Sequence, residues 1–289
     1  MFEYKDFEYF DMHTHFFPKK IFDAVWKYFD SYYWPVYLKD TAANLTHKLI
    51  SDYKVRHFSV LNYAHKPGIA HSMNEWTRDF CSSSHLQGIA VPFGTIHAGD
   101  KKKALEMDLI FGEFGFAGIK LQLMVTDFHI WDQRMRPVYD KIMEYDTFLF
   151  VHIGTYPQPP REKFQFPYLG AIHLERFMGE YPEMKVIVPH LGADEYEPMW
   201  RLTKKYPNLY FDTAAIAVRD NTVLDDKMDR IHNEQIYEIS DRILFGSDFP
   251  DIFWEYRNSI LGWLEREMDY SFYEKMFYKN AAGLFSTYI

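Results

Sequence analysis

The sequence predicts an α/β fold, a (β/α)8 barrel in which residues 1–289 form a single domain. The first observation is length, because a barrel of eight strand–helix units typically takes about 250 residues and this chain has 289. The second is that short β-type runs alternate with helix-like segments, as in parallel βα units. The third is that several runs end in histidine or aspartate, at the edge of a barrel that binds ligands.

Eight runs rich in β-branched, aliphatic and aromatic residues are the predicted strands, and the residues between them suffice for crossover helices. The predicted strands are residues 8–13, 56–62, 87–94, 117–123, 147–153, 184–191, 208–214 and 242–248. The helix-like segments between and after them are residues 24–33, 74–83, 101–114, 135–145, 174–183 and 271–285. No linker or low-complexity stretch interrupts this alternation, so no domain boundary is predicted.

Composition and charge exclude several classes of protein. The net charge of −9 opposes binding to a phosphate backbone and no basic run is present, so nucleic acid is not an expected partner. The acidic N-terminal segment is unlike a signal peptide, and no apolar run reaches the roughly 18 residues of a membrane span. We therefore expect a cytoplasmic protein without a membrane partner. Cys81, the single cysteine, excludes an internal disulfide and a cysteine-based zinc site.

Two long connections follow predicted strands, residues 19–54 after the first and residues 154–170 after the fifth. Such loops lie over the carboxyl ends of barrel strands, where substrates bind. Arg161, in the second connection, is a candidate for binding an anionic substrate, with an exposed surface arginine as the alternative. His65 and Asn74 follow the second strand and are candidate substrate contacts, with solvated loop residues as the alternative.

Histidine and aspartate recur at the ends of the predicted strands. His13 and His15 close the first strand, and residues two apart on a strand point to one face, so both can reach one metal ion. His152 ends the fifth strand, His190 the sixth and Asp248 the eighth. Imidazole and carboxylate groups on one rim are the ligands expected for zinc or a similar divalent ion. The sequence therefore predicts a metal site at this rim.

The motifs around these residues resemble the amidohydrolase superfamily, in particular the amidohydrolase-2 group of metal-dependent hydrolases. That group also contains decarboxylases resembling aminocarboxymuconate semialdehyde decarboxylase. The motifs extend over nearly the whole chain and are DMHTHFFP, GTIHAGD, GFAGIKLQ, VHIGTYP, VIVPHLG, YFDTA, ILFGSDFP and KNAAGLF. The resemblance implies a distorted TIM barrel with one tightly bound divalent metal ion. Zn²⁺ is the expected ion, and Mn²⁺, Fe²⁺ and Ni²⁺ are the alternatives.

The same resemblance assigns roles to individual residues. Carried over position by position, it implies that His13 and His15 bind the metal from strand one, His152 from strand five and Asp248 from strand eight. His190 then contacts the metal-bound water or the substrate. Asp248 and His190 are accordingly the catalytic candidates.

Three charged residues near these ligands have other interpretations. Lys120, at the end of strand four, has three: a carbamylated bridge between two metal ions, a cation that binds a substrate carboxylate, or a member of a structural ion pair. Asp11 either orients a ligand histidine from the second shell of the metal or satisfies local backbone groups. Asp212, on strand seven, is interpreted as a structural acid.

The chemistry of such a site predicts two reactions. A divalent metal lowers the pKa of bound water from about 15.7 towards roughly 7 and polarises a carbonyl oxygen. The primary prediction is hydrolysis of a C–N or C–O bond in a small amide, lactam or lactone, with Asp248 accepting the proton of the attacking water. The alternative is metal-dependent, non-oxidative decarboxylation of a small unsaturated or aromatic carboxylic acid. The expected partner is a small-molecule substrate, and assembly into a homodimer is left open.

Overall fold

Eight parallel strands form one sheet in which each strand pairs with the next along the chain. The computed structural model describes residues 2–155, 167–219 and 231–289. The strands are β1 (Tyr9–Asp11), β2 (Val55–Leu61), β3 (Ala90–Thr95), β4 (Gly118–Gln122), β5 (Phe148–His152), β6 (Lys185–Val188), β7 (Leu209–Asp212) and β8 (Ile243–Leu244). Each strand overlaps one predicted run, which confirms the (β/α)8 barrel.

The first and last strands meet through backbone hydrogen bonds, so the barrel is nearly closed. The N–H of Met12 donates to the carbonyl oxygen of Phe245 over 2.7 Å. Further along, the N–H of Asp248 donates to the carbonyl oxygen of His13 over 2.9 Å. The segments that continue β1 and β8, which carry three of the predicted metal ligands, are therefore held side by side.

Helices follow the strands, and each predicted helical segment overlaps at least one of them. They are α1 (Lys19–Tyr32), α2 (Ala42–His47), α3 (Ala70–Cys81), α4 (Lys103–Asp108), α5 (Leu123–Thr126), α6 (Arg136–Glu144), α7 (Ala171–Glu180), α8 (Tyr196–Leu202), α9 (Asn233–Glu238), α10 (Asn258–Leu264), α11 (Tyr270–Glu274) and α12 (Asn280–Leu284). The long connection after β1 contains α1 and α2. Within the described ranges, none of these helices combines the length and the apolar sequence needed to cross a membrane.

The strands separate two hydrophobic layers. On β5, Leu149 and Val151 pack with the surrounding helices, whereas Phe150 packs inside the barrel, because successive strand residues point to opposite faces. Phe285, just after α12, fills the interior at the amino end of β5, where its ring centroid lies 4.7 Å from that of Phe148. With this end filled by side chains, the carboxyl ends of the strands are left to form the site.

Candidate active site

Three predicted metal ligands lie together beyond the carboxyl ends of β1 and β8. Strand β1 ends at Asp11, so His13 and His15 lie in the segment that follows the strand rather than on it. Asp248 Oδ1 is 3.0 Å from His15 Nε2 and 3.4 Å from His13 Nε2. All three side chains are buried, and each offers one ligand atom within 4.8 Å of the others. Two imidazoles and a carboxylate in this arrangement fit a divalent metal ion.

Each of the two histidines is held through Nδ1, which leaves Nε2 facing the carboxylate. His13 Nδ1 lies 2.8 Å from Asp212 Oδ2, and His15 Nδ1 lies 2.7 Å from the backbone oxygen of Leu61. A proton on Nδ1 satisfies both contacts and leaves the Nε2 lone pair for a metal. Burial, and then the charge of Lys120, lower the pKa of His13, so its imidazole is neutral, as a ligand must be.

Asp248 is held as a carboxylate by its neighbours. Burial alone would raise the pKa of Asp248, but the adjacent His13 and His15 outweigh that effect and lower it well below the ordinary value. Its φ of 70° lies in the left-handed region, which aspartate adopts more readily than most residues. This backbone turn aims the carboxylate at the two histidines.

Asp212, the last residue of β7, connects two parts of the site. While Oδ2 bonds His13, Oδ1 accepts the backbone N–H groups of His190 at 3.0 Å and Ala214 at 2.9 Å. His13, His190 and Asp212 also form a second group whose ligand atoms lie within 4.8 Å of one another. The interpretation of Asp212 as a structural acid therefore missed its contact with a ligand histidine. Its place at the end of a predicted strand, on the same rim, was the available signal.

His190 is presented to the site by an unusual backbone segment. Residues 190–193 all have positive φ, with values of 58°, 49°, 75° and 54°. Consecutive left-handed residues are strained, and such strain concentrates at functional sites. The ring is fixed by a 2.8 Å bond from Nδ1 to the carbonyl oxygen of Ala214. Its centroid lies 5.1 Å from that of His13 and 4.9 Å from that of His152, so His190 stands between the two sides of the site.

His152, the last residue of β5, lies across the site from the β1 and β8 ligands. Its Nδ1 is 3.2 Å from Gln122 Nε2. Burial, followed by the charges of His190 and Lys120, lowers its pKa, so this imidazole is also neutral. Among the described residues it belongs to neither group whose ligand atoms lie within 4.8 Å of one another. Its role as a metal ligand therefore stays a prediction.

Lys120 lies beneath these ligands inside the barrel. Its Nζ is buried, has no hydrogen-bond partner among the described residues and lies 4.3 Å from the ring centroid of Phe150. Burial lowers the pKa of Lys120 to about 8, although Asp212 and Asp248 act in the opposite direction. Nothing in the described part of the chain supplies the structural ion pair considered for it. The bridging and substrate-binding roles stay predictions.

Asp11 fixes the backbone of the site rather than a histidine ring. Oδ1 accepts the N–H groups of His13 at 3.1 Å and Ser247 at 3.0 Å. Oδ2 accepts the hydroxyl groups of Ser247 at 2.5 Å and Tyr256 at 2.9 Å. Burial raises the pKa of Asp11 to about 7, with these hydrogen bonds opposing the shift. Of its two predicted roles, the contacts support the one that satisfies local backbone groups.

A cavity of about 640 Å³ opens above the metal group. Its polar end is lined by His15, His152, His190 and Asp248. A second carboxylate, that of Asp251, borders the same end. Three of the four predicted ligands and the catalytic candidate His190 therefore line one cavity, as the sequence predicts for side chains at strand ends, whereas His13 is not among the lining residues.

Much of the cavity lining is aromatic and comes mainly from the connection that follows β1. Tyr28, Phe29 and Tyr33, in and just after α1, line the cavity together with Tyr63 from the loop after β2. Lys20, at the start of α1, also borders the cavity and is the one lysine or arginine that does so within the described ranges. Four of the many aromatic residues of the chain thus form part of the pocket wall.

A family model described as Amidohydrolase matches residues 10–287. The chain belongs to this amidohydrolase family. The match covers nearly all of it, which confirms the resemblance carried by the histidine and aspartate motifs. No curated protein matches the chain.

Solved structures similar to this chain include decarboxylases and a putative amidohydrolase. A 5-carboxyvanillate decarboxylase from Novosphingobium aromaticivorans, with bound manganese and a substituted nitrobenzoic acid, has a TM-score of 0.68 at 16% identity, covering 97% of both chains. A 2,6-dihydroxybenzoate decarboxylase from Rhizobium has a TM-score of 0.67 at 16% identity, covering 97% of this chain and 98% of its own. A putative amidohydrolase from Staphylococcus aureus has a TM-score of 0.66 at 14% identity, covering 96% and 99%. At these identities the similarity shows a shared fold.

The remaining substrate-binding candidates of this amidohydrolase lie in different places. His65 is exposed and lines the cavity. Asn74 is buried and does not line the cavity. Its side chain accepts the backbone N–H of Thr95 at 2.9 Å and donates to the backbone carbonyl of Thr95 at 3.0 Å and to Glu106 at 2.9 Å. These hydrogen bonds connect α3 to β3. Arg161 lies outside the described residues.

Sequence reasoning missed Asp251, three positions after the predicted ligand Asp248. The side chain is 1% exposed, and neither carboxylate oxygen has a hydrogen-bond partner among the described residues. Burial raises its pKa to about 7, which the nearby His15 opposes. The sequence FGSDFPD contains no signal that singles out its last residue, because its position beside the cavity depends on the turn after β8.

Proposed function

We propose that this member of the amidohydrolase family is a metal-dependent, non-oxidative decarboxylase of a small aromatic or unsaturated carboxylic acid. The observation that carries the proposal is the cavity, which is lined both by aromatic side chains and by a cluster of potential metal-binding groups. An aromatic wall suits a planar apolar ring, and the metal-binding end suits its anionic group. The decarboxylases among the structural neighbours support this choice over the hydrolysis that the sequence favoured.

His13, His15 and Asp248 would hold the divalent metal, with His152 as the further ligand that the motif resemblance implies. When bound, the metal supplies positive charge that fixes an anionic substrate oxygen. Nitrogen and oxygen ligands of this kind accept both zinc and manganese. The manganese bound to a neighbouring decarboxylase makes Mn²⁺ as good a candidate as Zn²⁺.

The walls of the cavity favour loss of carbon dioxide for an electrostatic reason. A carboxylate carries a concentrated charge, which spreads over the ring as the C–C bond breaks and leaves its electron pair on carbon. A low-dielectric wall disfavours the concentrated charge more than the dispersed one. Lys20, at the edge of this wall, adds a cation that can attract an anionic substrate into the cavity.

The reaction also needs one proton, because a C–H bond replaces the C–C bond when carbon dioxide leaves. We assign relay of this proton to Asp248: its ionised carboxylate, which lines the cavity beside the metal group, takes up a proton from solvent and passes it to the carbon that carbon dioxide leaves. His190, whose Nδ1 is fixed by Ala214, presents its other nitrogen to the substrate and stabilises charge on a substrate oxygen. Both residues remain the proposed catalytic residues, with their roles adapted to decarboxylation.

Hydrolysis of a lactone or amide is the second candidate. The observation that favours it is the carboxylate of Asp248, held ionised beside two metal-binding histidines, which is the state that a general base for water requires. A putative amidohydrolase is also among the structural neighbours. Decarboxylation and hydrolysis would use the same metal-binding residues and differ in the substrate group bound there, a carboxylate in the first case and a lactone or amide carbonyl in the second.

Product analysis separates the two candidates. Protein loaded with Mn²⁺ or Zn²⁺ is incubated with a panel of aryl carboxylates, unsaturated acids, lactones and amides. Carbon dioxide release and hydrolysis products are measured separately, with the metal-free protein as the control. We expect metal-dependent release of carbon dioxide from at least one aryl or unsaturated acid. Hydrolysis of a lactone or amide without any carbon dioxide release would overturn the decarboxylase proposal in favour of the second candidate.

A further inference from the structure

The carboxylate of Asp251 is buried at the edge of the proposed substrate cavity, without a hydrogen-bond donor in the described part of the chain. Its side chain is 1% exposed, and no described residue makes a hydrogen bond to either oxygen. The Trp26 indole lies close enough to lower the pKa of Asp251, yet its Nε1 makes no hydrogen bond among the described residues either. A buried acceptor left in this state is destabilising, so native proteins rarely retain one without a partner at some stage of function.

The backbone around Asp251 holds this side chain in place. Its N–H donates to the carbonyl oxygen of Asp248 over 2.9 Å, and its own carbonyl accepts the indole N–H of Trp34 at 2.9 Å. The carboxyl group is therefore attached to the same turn that carries the metal ligand. Because two hydrogen bonds fix the backbone of Asp251, its unpaired carboxylate does not result from a poorly positioned loop.

Charge decides which part of a substrate can approach Asp251. Asp248 lies nearby on the same turn, so the two carboxylates make this corner of the cavity rich in negative charge. A substrate carboxylate next to Asp251 is repelled, whereas a hydroxyl or amino group there donates the missing hydrogen bond. The position thus favours one orientation of the substrate, with its carboxylate directed elsewhere.

We propose that Asp251 is a specificity-determining residue that accepts a hydrogen bond from a hydroxyl or amino group of the substrate, set apart from its carboxylate. This inference rests on the proposed function, and it narrows the substrate class to aryl carboxylates that carry such a donor. Asp251 binds and orients the substrate and takes no part in the bond-breaking step.

The test compares matched ligands in matched variants. Benzoic acids with a hydroxyl or amino substituent are paired with their methyl ethers or N,N-dimethyl derivatives, which keep the ring but lack the donor. Binding to the metal-loaded protein is measured by calorimetry, and turnover is measured where it occurs. The variants are Asp251→Asn and Asp23→Asn; Asp23 is an exposed acid of α1 that does not line the cavity, so its change removes the same charge elsewhere.

We expect the wild-type protein to prefer the donor-bearing ligand by about 10- to 100-fold, as a hydrogen bond to a charged group allows. Asp251→Asn should lose most of this preference and Asp23→Asn should keep it. Because the preference is a ratio measured within one variant, a partly unfolded preparation does not alter it. Equal preference in the wild type and Asp251→Asn, or no binding of any aryl carboxylate, would overturn the inference. Selective binding without carbon dioxide release would instead refute the proposed reaction and leave the role of Asp251 standing.

Discussion

The two sides of the metal site differ in how completely the protein organises them. On the β1 and β8 side, His13 and His15 are each held through Nδ1, and Asp248 lies within 3.4 Å of both Nε2 atoms. On the β4 and β5 side, His152 lies outside both potential metal groups, and Lys120 Nζ has no hydrogen-bond partner among the described residues. The first side is therefore the preformed half of the proposed metal site. The arrangement of the side chains on the second side depends more on the metal or substrate that binds there.

The largest expected effect comes from breaking the preformed half. Changing His13 to Ala removes a neutral ligand nitrogen and leaves Asp212 without its imidazole partner. We expect metal content and activity to be lost together, by more than the roughly 10- to 100-fold that loss of an outer hydrogen-bond partner costs in metal affinity. Elemental analysis beside kcat tests this, with His85→Ala, at an exposed histidine, as the control. Full metal content in His13→Ala would show that the half is not the binding site.

A second variant separates metal binding from proton transfer within the same half. Asp248→Asn keeps an oxygen of similar size and position but cannot carry a proton as the carboxylate does. We expect metal to be partly retained while kcat falls by about 100- to 10,000-fold, as is typical when a general acid or base is lost. Metal content and kcat are measured on the same preparation. Normal turnover in this variant would remove Asp248 from the mechanism.

The third prediction compares the two sides directly through the groups that hold their histidines. Asp212→Asn weakens the contact with His13 Nδ1, and Gln122→Ala removes the contact with His152 Nδ1. We expect metal affinity to fall by about 10- to 100-fold in the first variant and by less in the second. Competition with a chelator measures both affinities. A larger loss in Gln122→Ala would reverse the comparison and make β4 and β5 the dominant metal-binding side.

A smaller effect is expected at the edge of the cavity. Lys20 is exposed, so its attraction for an anionic substrate is screened by water. We expect Lys20→Ala to raise KM by about two- to fivefold with kcat unchanged, because an exposed ion pair contributes roughly 0.2–1 kcal/mol. Lys19→Ala, next to it on α1 but absent from the cavity lining, is the matched control. An equal rise in KM in both variants would show that the net charge of this region attracts the substrate, rather than a contact between Lys20 and the substrate.

The smallest kinetic effect is expected at Asn74. Its side chain satisfies both the N–H and the carbonyl of Thr95 and does not line the cavity. Asn74→Ala should therefore leave kcat/KM unchanged while lowering the free energy of unfolding by about 1–3 kcal/mol, because buried backbone groups lose a partner. Kinetics and denaturant unfolding together test it. A change in KM at unaltered stability would restore Asn74 as a substrate contact.

The sequence by itself determined the barrel and the rim on which its histidines and Asp248 lie. Both follow from local rules, because strand-type runs separated by helix-length segments predict parallel βα units, and side chains at strand ends meet at one edge. The position of the histidines was less exact. His13 and His15 lie beyond the end of β1, where hydrogen bonds to Asp212 and Leu61 orient them instead of strand alternation.

Only the tertiary structure decided which other groups reach the site. Asp212 bonds a histidine 199 positions away, and this contact exists only because β1 and β7 lie close together in the folded barrel. Asp251, Lys20 and the aromatic residues of α1 carry no motif, and their place beside the cavity depends on how the connections fold over the barrel. Spacing along the chain reports the direction of a side chain within one strand or helix. It does not report the distance between side chains on separate elements, since packing of the whole chain sets that distance.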